Sequence, residues 1–404
     1  MNAGSPIGGI RASSGSPRRV GQLDRSRRSS LLVVSSSAPP RLGGISSLLE
    51  IVCATLMQST DRELHLLCPP GTGGGRAHVV HDRLAWSRQG VFNLPLQMRN
   101  ALVFGRLLRR HRFELVIFLD AAARLYGLPV APRAEATVYV HGHELKAPSG
   151  PGELLSRRLT LQCRALRRAQ RVIVNSHATG ELLRERAPDV EFRVLHPCYD
   201  PRRIYDPARH SESPYREPSG TFVLLTVSRL VERKGHEHVL RLLAHVDRRL
   251  PPYRYYIVGD GPHRTFLKQL AHRLGLSERV VFTGSVPTEQ LGAYFHHADL
   301  FVMLPQPARA GFEGFGLTYV EAGLSGTAAI GSAHDGAVEA VQHDVTGWIL
   351  HTDQEERAAE ELLALVRDAS RRRRYAEAAH AWASRELDPA RFVRELLGQL
   401  SAAS

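Results

Sequence analysis

Thr221-Phe-Val-Leu-Leu-Thr-Val-Ser-Arg-Leu-Val-Glu-Arg-Lys-Gly235 is where the chain begins its pattern a second time. Thr221–Val227 is a short run of β-branched and apolar residues, which reads as a buried strand. A polar turn ending in Gly235 follows, and Glu237–Leu250 then carries helical spacing. The alternation continues with strand Tyr255–Val258, helix His263–Leu274, strand Val280–Phe282, helix Glu289–His297 and strand Leu300–Met303. Helix Thr318–Leu324, strand Ala328–Ile330 and a mostly helical end complete it. Upstream, Pro207-Ala-Arg-His-Ser-Glu-Ser-Pro-Tyr-Arg-Glu-Pro-Ser-Gly220 is polar and broken by prolines, the composition of a linker. Before it runs an earlier series: strand Leu31–Ser35, a turn at Gly43 and Gly44, helix Ile45–Leu56, and β-like runs at Glu114–Leu119, Ala136–Val140 and Arg171–Asn175. Two β/α series separated by a linker imply an α/β protein of two doubly wound domains facing a cleft. The expected divisions are a disordered basic tail at 1–30, a first domain at 31–206, the linker at 207–219 and a second domain at 220–384. Residues 385–404 are expected to form a C-terminal helix packed back on the first domain.

The chain has 404 residues, 43% hydrophobic and 23% charged, which suits two or three globular domains. Its longest apolar runs, such as Leu31–Val34, are far too short to span a bilayer. Cys53, Cys68, Cys163 and Cys198 have neither metal spacing nor the density of a disulfide framework, so they read as reduced thiols of a cytoplasmic protein. Residues 1–30 are rich in Ser, Gly and Arg and have no apolar stretch of the secretory kind. They are expected to be either a stretch ahead of the true start or a loose basic arm, rather than a transit peptide. Charge is unevenly spread: residues 1–206 carry 30 Lys and Arg against 16 Asp and Glu, and residues 207–404 carry 23 against 24. The positive excess therefore belongs to the first half, where it favours an anionic partner.

The second half carries the chemistry. Glu313-Gly-Phe-Gly-Leu-Thr-Tyr-Val-Glu321 sets two carboxylates around a Gly-X-Gly turn that leads into a helix. Glycine lets backbone amides approach a ligand closely. The amides of Gly316, Leu317 and Thr318 would then stand at a positive helix end, suited to phosphate. Glu313 before the turn and Glu321 inside the helix can flank the same ligand. A nucleotide sugar has that layout, with hydroxyls at both ends of a diphosphate. Arg229 and Lys234 follow the first strand of this half and can neutralise a diphosphate. Val258-Gly-Asp-Gly-Pro262 supplies a tight turn after the next strand. Thr283-Gly-Ser-Val-Pro287 offers backbone groups to a base edge after another.

Arg229 and Lys234, Gly259-Asp-Gly-Pro262, Phe282-Thr-Gly284 and the pair Glu313 and Glu321 resemble, in order and spacing, the retaining glycosyltransferases of family 4. The resemblance covers about residues 31–350 and is strongest over 222–350. It implies the GT-B fold, two Rossmann-like domains facing a cleft. It also implies catalytic roles for His141, Arg229, Lys234 and Glu313, with His141 lying in Val140-His-Gly-His-Glu144 near the transferred sugar. Donor binding would fall to Gly43, Gly44, Gly259, Gly261, Gly284, Val286, Phe315, Gly316, Leu317, Thr318 and Glu321, the last on the ribose. Leu304–Ala310, with Arg309 and Phe312, looks like the branch containing phosphatidylinositol mannosyltransferases. Departures are Cys198 where many members have Gly, Ala337 at an often small or proline position, and Ser325-Gly326 where Cys-Gly is commoner. None removes a charged ligand contact.

The reaction implied is transfer of a hexose from a UDP- or GDP-sugar to a hydroxyl of a lipid-linked or polysaccharide acceptor. No Asp-X-Asp pair is present, and neither cofactor nor metal is expected. Arg99, Arg106, Arg109, Arg110 and Arg112 form one basic cluster. Arg157, Arg158, Arg164, Arg167, Arg168 and Arg171, interleaved with Leu154, Leu155, Leu159, Leu161 and Leu166, form another. Either could lie on an anionic membrane, placing the protein at the inner face of the plasma membrane. The alternative reading is a solvated helical face. Two rival functions share the fold: a nucleotide-sugar epimerase, and a non-catalytic sugar or polyanion binder. Nucleic acid is not an expected partner, because no groove-reading or base-stacking module is recognisable.

Overall fold

Ser30–Val34 (β1) is buried at every residue. Leu31 and Val33 enter one apolar cluster, Leu32 and Val34 another. A strand covered on both faces must do this, because successive side chains point to opposite sides. Phe222–Val227 (β8) repeats the arrangement, with Phe222 and Leu224 on one face and Val223, Leu225 and Val227 on the other. These are the founding strands of two parallel sheets in a computed structural model that describes residues 30–37, 44–69, 79–81, 94–125, 135–146, 161–307 and 311–398.

The first sheet adds β2 (Glu63–Leu67), β3 (Val79–His81), β4 (Phe113–Phe118), β5 (Glu135–Val140), β6 (Arg171–Val174) and β7 (Arg193–Val194) in the order β3-β2-β1-β4-β5-β6-β7. The second adds β9 (Tyr253–Val258), β10 (Val280–Gly284), β11 (Leu300–Val302), β12 (Ala329–Ser332) and β13 (Gly347–Leu350) in the order β10-β9-β8-β11-β12-β13. Strand pairing is parallel throughout. In both sheets the winding reverses beside the founding strand. That leaves a crevice beyond the carboxyl ends of β1 and β4, and a second beyond β8 and β11.

Most expected elements recur with shifted ends. The helix expected over 237–250 runs His236–Val246 and finishes in a 3-10 turn. The strands β2, β3, β7 and β13 were not among the expected elements. Pro207–Gly220 lies against the second sheet's side of the molecule. Tyr215 is buried there and its hydroxyl donates to the Tyr294 carbonyl, while Glu217 accepts from Tyr256 and Arg254. At the far end, helix Pro389–Leu396 lays Phe392, Val393 and Leu396 into the cluster beneath β1. Phe392 meets Tyr139 edge-on at 5.5 Å, and Arg171 donates to the Leu397 carbonyl. The chain thus crosses between the sheets twice. The tail 1–29 lies outside the described residues.

Candidate active site

Gly316 starts the site. It holds φ 94°, a left-handed conformation that admits glycine at little cost. From it springs helix Leu317–Leu324, whose first amides have no carbonyl partner within the helix. This helix end borders a cavity of about 450 Å³ walled by both halves of the molecule. From the first half come Gly44 and His141, and from the second Arg229, Lys234, Glu313, Phe315, Gly316, Leu317, Thr318 and Glu321. Gly43 lies outside the described residues, as do Arg309, the segment 147–160 and the cluster residues it holds. Gly259, Gly261, Gly284 and Val286 are not in this wall. A Cβ on Gly259 would stand 2.0 Å from the Ser228 carbonyl, and one on Gly261 2.3 Å from that of Leu230. Those glycines let the turns after β8 and β9 pack on each other. Gly284 closes β10 with φ 78°, and Val286 packs half-buried on the second sheet.

Glu313 is buried, and its Oε2 accepts from Lys234 Nζ at 2.6 Å and Arg233 Nη1 at 2.7 Å. Burial pushes its carboxyl up, but the two cations outweigh that and hold it below the usual range. Burial draws the Lys234 ammonium down, with Glu313 opposing. Lys234 sits on the 3-10 turn Glu232–Lys234, which Gly235 ends at φ 67°. Arg229, exposed in the same wall, has no carboxylate partner among the described residues. Arg233 was not singled out by sequence reasoning. Its only signal was adjacency to Lys234.

Glu321 contrasts with Glu313. It is 3% exposed, and burial pushes its carboxyl up to about 7 against the pull of Arg203. Arg203 Nε lies 2.8 Å from one of its oxygens, and Oε2 has no hydrogen-bond partner among the described residues. Arg203 was also missed. It sits on the 3-10 turn Pro201–Arg203, capped by Asp200, in an Arg-Arg pair that nothing local marks out.

His141 stands at the end of β5. Its Nε2 lies 2.8 Å from the Leu119 carbonyl, which can only accept, so Nε2 carries the proton and Nδ1 is left as an acceptor. Burial draws the imidazole down, keeping it neutral, with Glu144 opposing. Glu144 is buried and takes the His141 amide at 3.1 Å, which makes it a support of the loop. Burial raises its carboxyl, and neighbouring His143 together with the backbone amides of Glu144 and His141 overrides that and lowers it. Asp120, at the end of β4, receives the amides of Ser36 and Ala123 and so ties β4 to the loop after β1.

Residues 42–203 match the model of Glycosyltransferase Family 4, and residues 209–382 that of Glycosyl transferases group 1. A GDP-mannose-dependent alpha-(1-6)-phosphatidylinositol monomannoside mannosyltransferase of Mycolicibacterium smegmatis is 31% identical over 334 residues, 79% of this chain and 85% of that one. Its Mycobacterium tuberculosis namesake is 30% identical over 369 residues, 88% and 93% of the two chains. Among solved structures, sucrose-phosphate synthase of Thermosynechococcus elongatus matches with TM-score 0.77 at 18% identity, over 92% of this chain and 98% of that one. Anabaena HepE in complex with UDP and glucose matches with TM-score 0.70 at 21% identity, over 93% and 100%. The chain belongs to glycosyltransferase family 4 and is a hexosyltransferase of GT-B architecture.

Proposed function

We propose that the protein transfers a hexose, of mannose or glucose type, from a UDP- or GDP-sugar to a hydroxyl of a lipid-linked or saccharide acceptor, with retention at the anomeric carbon. The second domain, 220–384, takes the donor, and the first, 31–206, the acceptor. The observation that carries this reading is the meeting of Arg229 and Lys234 with the start of helix Leu317–Leu324 in one cavity. Negative charge grows on the diphosphate as the sugar leaves, and preset cations and amides stabilise it without reorganising. Glu313 takes sugar hydroxyls, and the free oxygen of Glu321 takes those of the ribose. His141 Nδ1 faces the transferred sugar as an acceptor. Attack from the same face as the departing phosphate gives retention.

Helix Leu94–Arg110 supports an anionic membrane as the setting. Met98 is 60% and Leu102 55% exposed on a helix that also bears Arg99, Arg106, Arg109 and Arg110. Among the described residues no helix is long and apolar enough to cross a membrane. We read the place of action as the cytoplasmic face, where nucleotide sugars would be supplied. Flotation with anionic vesicles should be strong at low salt and weak at high salt. No flotation at either would remove the membrane from the reading.

The decisive experiment is thermal unfolding with a panel of UDP- and GDP-sugars, followed by donor consumption with lipid and saccharide acceptors. GDP-mannose comes first because the 31% identical relative is GDP-mannose-dependent. Protection by none of the panel, with no consumption, would overturn the proposal.

A further inference from the structure

Glu339 lies on the short helix Ala337–Ala340 of the second domain, yet among the described residues its three side-chain hydrogen bonds come from the first. The amides of His177 and Ala178 donate to it at 2.7 and 2.9 Å, and His196 Nε2 lies at 3.0 Å. Those amides open helix His177–Arg186, whose own cap Ser176 is occupied with the Thr179 amide. A carboxylate suits the unpaired amides and positive end of a helix, and here it arrives from the opposite side of the cleft.

A second link runs inward from the same turn. The Glu339 amide donates to the Gly336 carbonyl, and the Gly336 amide to the Glu313 carbonyl. The Glu313 amide donates to Asp335 Oδ2 at 3.0 Å. An unbroken hydrogen-bonded path therefore joins the first domain's helix to the carboxylate that grips Lys234. The seam is tight beside it: a Cβ on Gly314 would stand 2.6 Å from both the Asn175 side chain and the His141 carbonyl.

We propose that Glu339 is a positioning residue that clasps the two domains and, through Asp335 and Gly336, sets Glu313 with its Lys234 and Arg233 partners when the cleft closes. The inference rests on the transferase reading for its catalytic consequence, and on geometry alone for the clasp.

The test uses the full chain with Glu339→Ala and Asp335→Gly, singly and combined. Asp335 has φ 52°, so glycine keeps the backbone and removes only the carboxylate. With whichever of GDP-mannose and UDP-glucose protects the wild type, kcat should fall about tenfold to a hundredfold in each single variant. Donor KM should stay within about threefold of wild type. The double variant should be no worse than the poorer single one within about twofold, because both cut one path. Small-angle scattering of the free protein should show a larger radius of gyration in Glu339→Ala than in wild type. Should Glu339→Ala fail to fold, Glu339→Gln, which keeps one acceptor oxygen, should show a smaller loss of the same kind. Wild-type kcat in the variant, or single effects that multiply in the double, would overturn the coupling. An unchanged radius would overturn the clasp. A wild type that consumes neither donor while scattering still separates the variants would overturn the transferase reading and leave the clasp standing.

Discussion

Glu313 and Glu321 have one side-chain chemistry and opposite electrostatics. Two cations hold Glu313 ionised, while burial raises Glu321 from 4.5 to about 7. The neutral form of Glu321 is therefore favoured by folding. Its stability contribution is full below 4.5 and is lost as pH rises through about 7. A ribose hydroxyl donating to the free oxygen would favour the ionised form instead. Binding of GDP or UDP near pH 7 should then expel a proton, and affinity should rise with pH towards 7. Calorimetry in two buffers of different ionisation enthalpy reads this directly. Glu321→Gln should lose that share of the proton release, and equal release in both proteins would refute it. Lys234→Ala tests the other carboxylate. It leaves buried Glu313 with Arg233 as its partner, which should cost stability but less than the roughly 3–5 kcal/mol of an uncompensated buried charge, and it should lower kcat by about a hundredfold or more. Wild-type turnover in that variant would remove the charge-neutralising role. Sequence spacing reached both glutamates and Lys234 because glycine turns and strand ends flank them. Arg203 escaped it because it is one of two adjacent arginines and only the folded turn decides which one faces the cavity, and Arg233 because nothing local marks it apart from Lys234, with which it shares Glu313.

Long, uninterrupted apolar runs were the most legible elements. β1, β4, β5, β6 and β8 are apolar runs covered on both faces, and such runs announce themselves. β3 is three half-buried residues and β7 only two, so neither has enough length to show a period. β2 interrupts its apolar residues with His65, buried among His81, His111 and Phe113, an environment visible only after folding. The turn after β8 depends on Gly235. It holds φ 67°, and a Cβ there would stand 1.6 Å from the Leu304 carbonyl. Gly235→Ala should therefore destabilise by more than the strain of about 1–3 kcal/mol usual for a left-handed residue. It should also displace Lys234, the preceding residue. Urea unfolding and donor-protection measurements together check this. A variant with wild-type midpoint and wild-type protection would show that the turn relaxes without consequence.

At the scale of the whole molecule, the two sheets are joined by covalent crossings as well as by the seam, and the second crossing has a measurable signature. Residues 389–396 follow the second sheet in sequence but complete the first in space. Phe392 is 2% exposed, packed against Tyr139 of β5 within the cluster that includes Leu31 and Val33 of β1. A C-terminal helix lying on the first domain is the expectation for residues 385–404, although an apolar stripe by itself states that something covers it without stating what. Phe392→Ala should cost about 3–5 kcal/mol through lost burial and the cavity left behind. The loss should fall on the first sheet, since its layers share that cluster while β8 and β9 are packed in clusters of their own. Hydrogen exchange followed by mass spectrometry should show faster exchange in β1, β5 and helix Gly44–Ser59, with β8 and β9 unchanged. If protection fell in the second sheet instead, the C-terminal helix would belong to the domain that precedes it in sequence. Closure of the cleft would then have to be accommodated by that helix sliding over the first sheet rather than by bending in the segment between them.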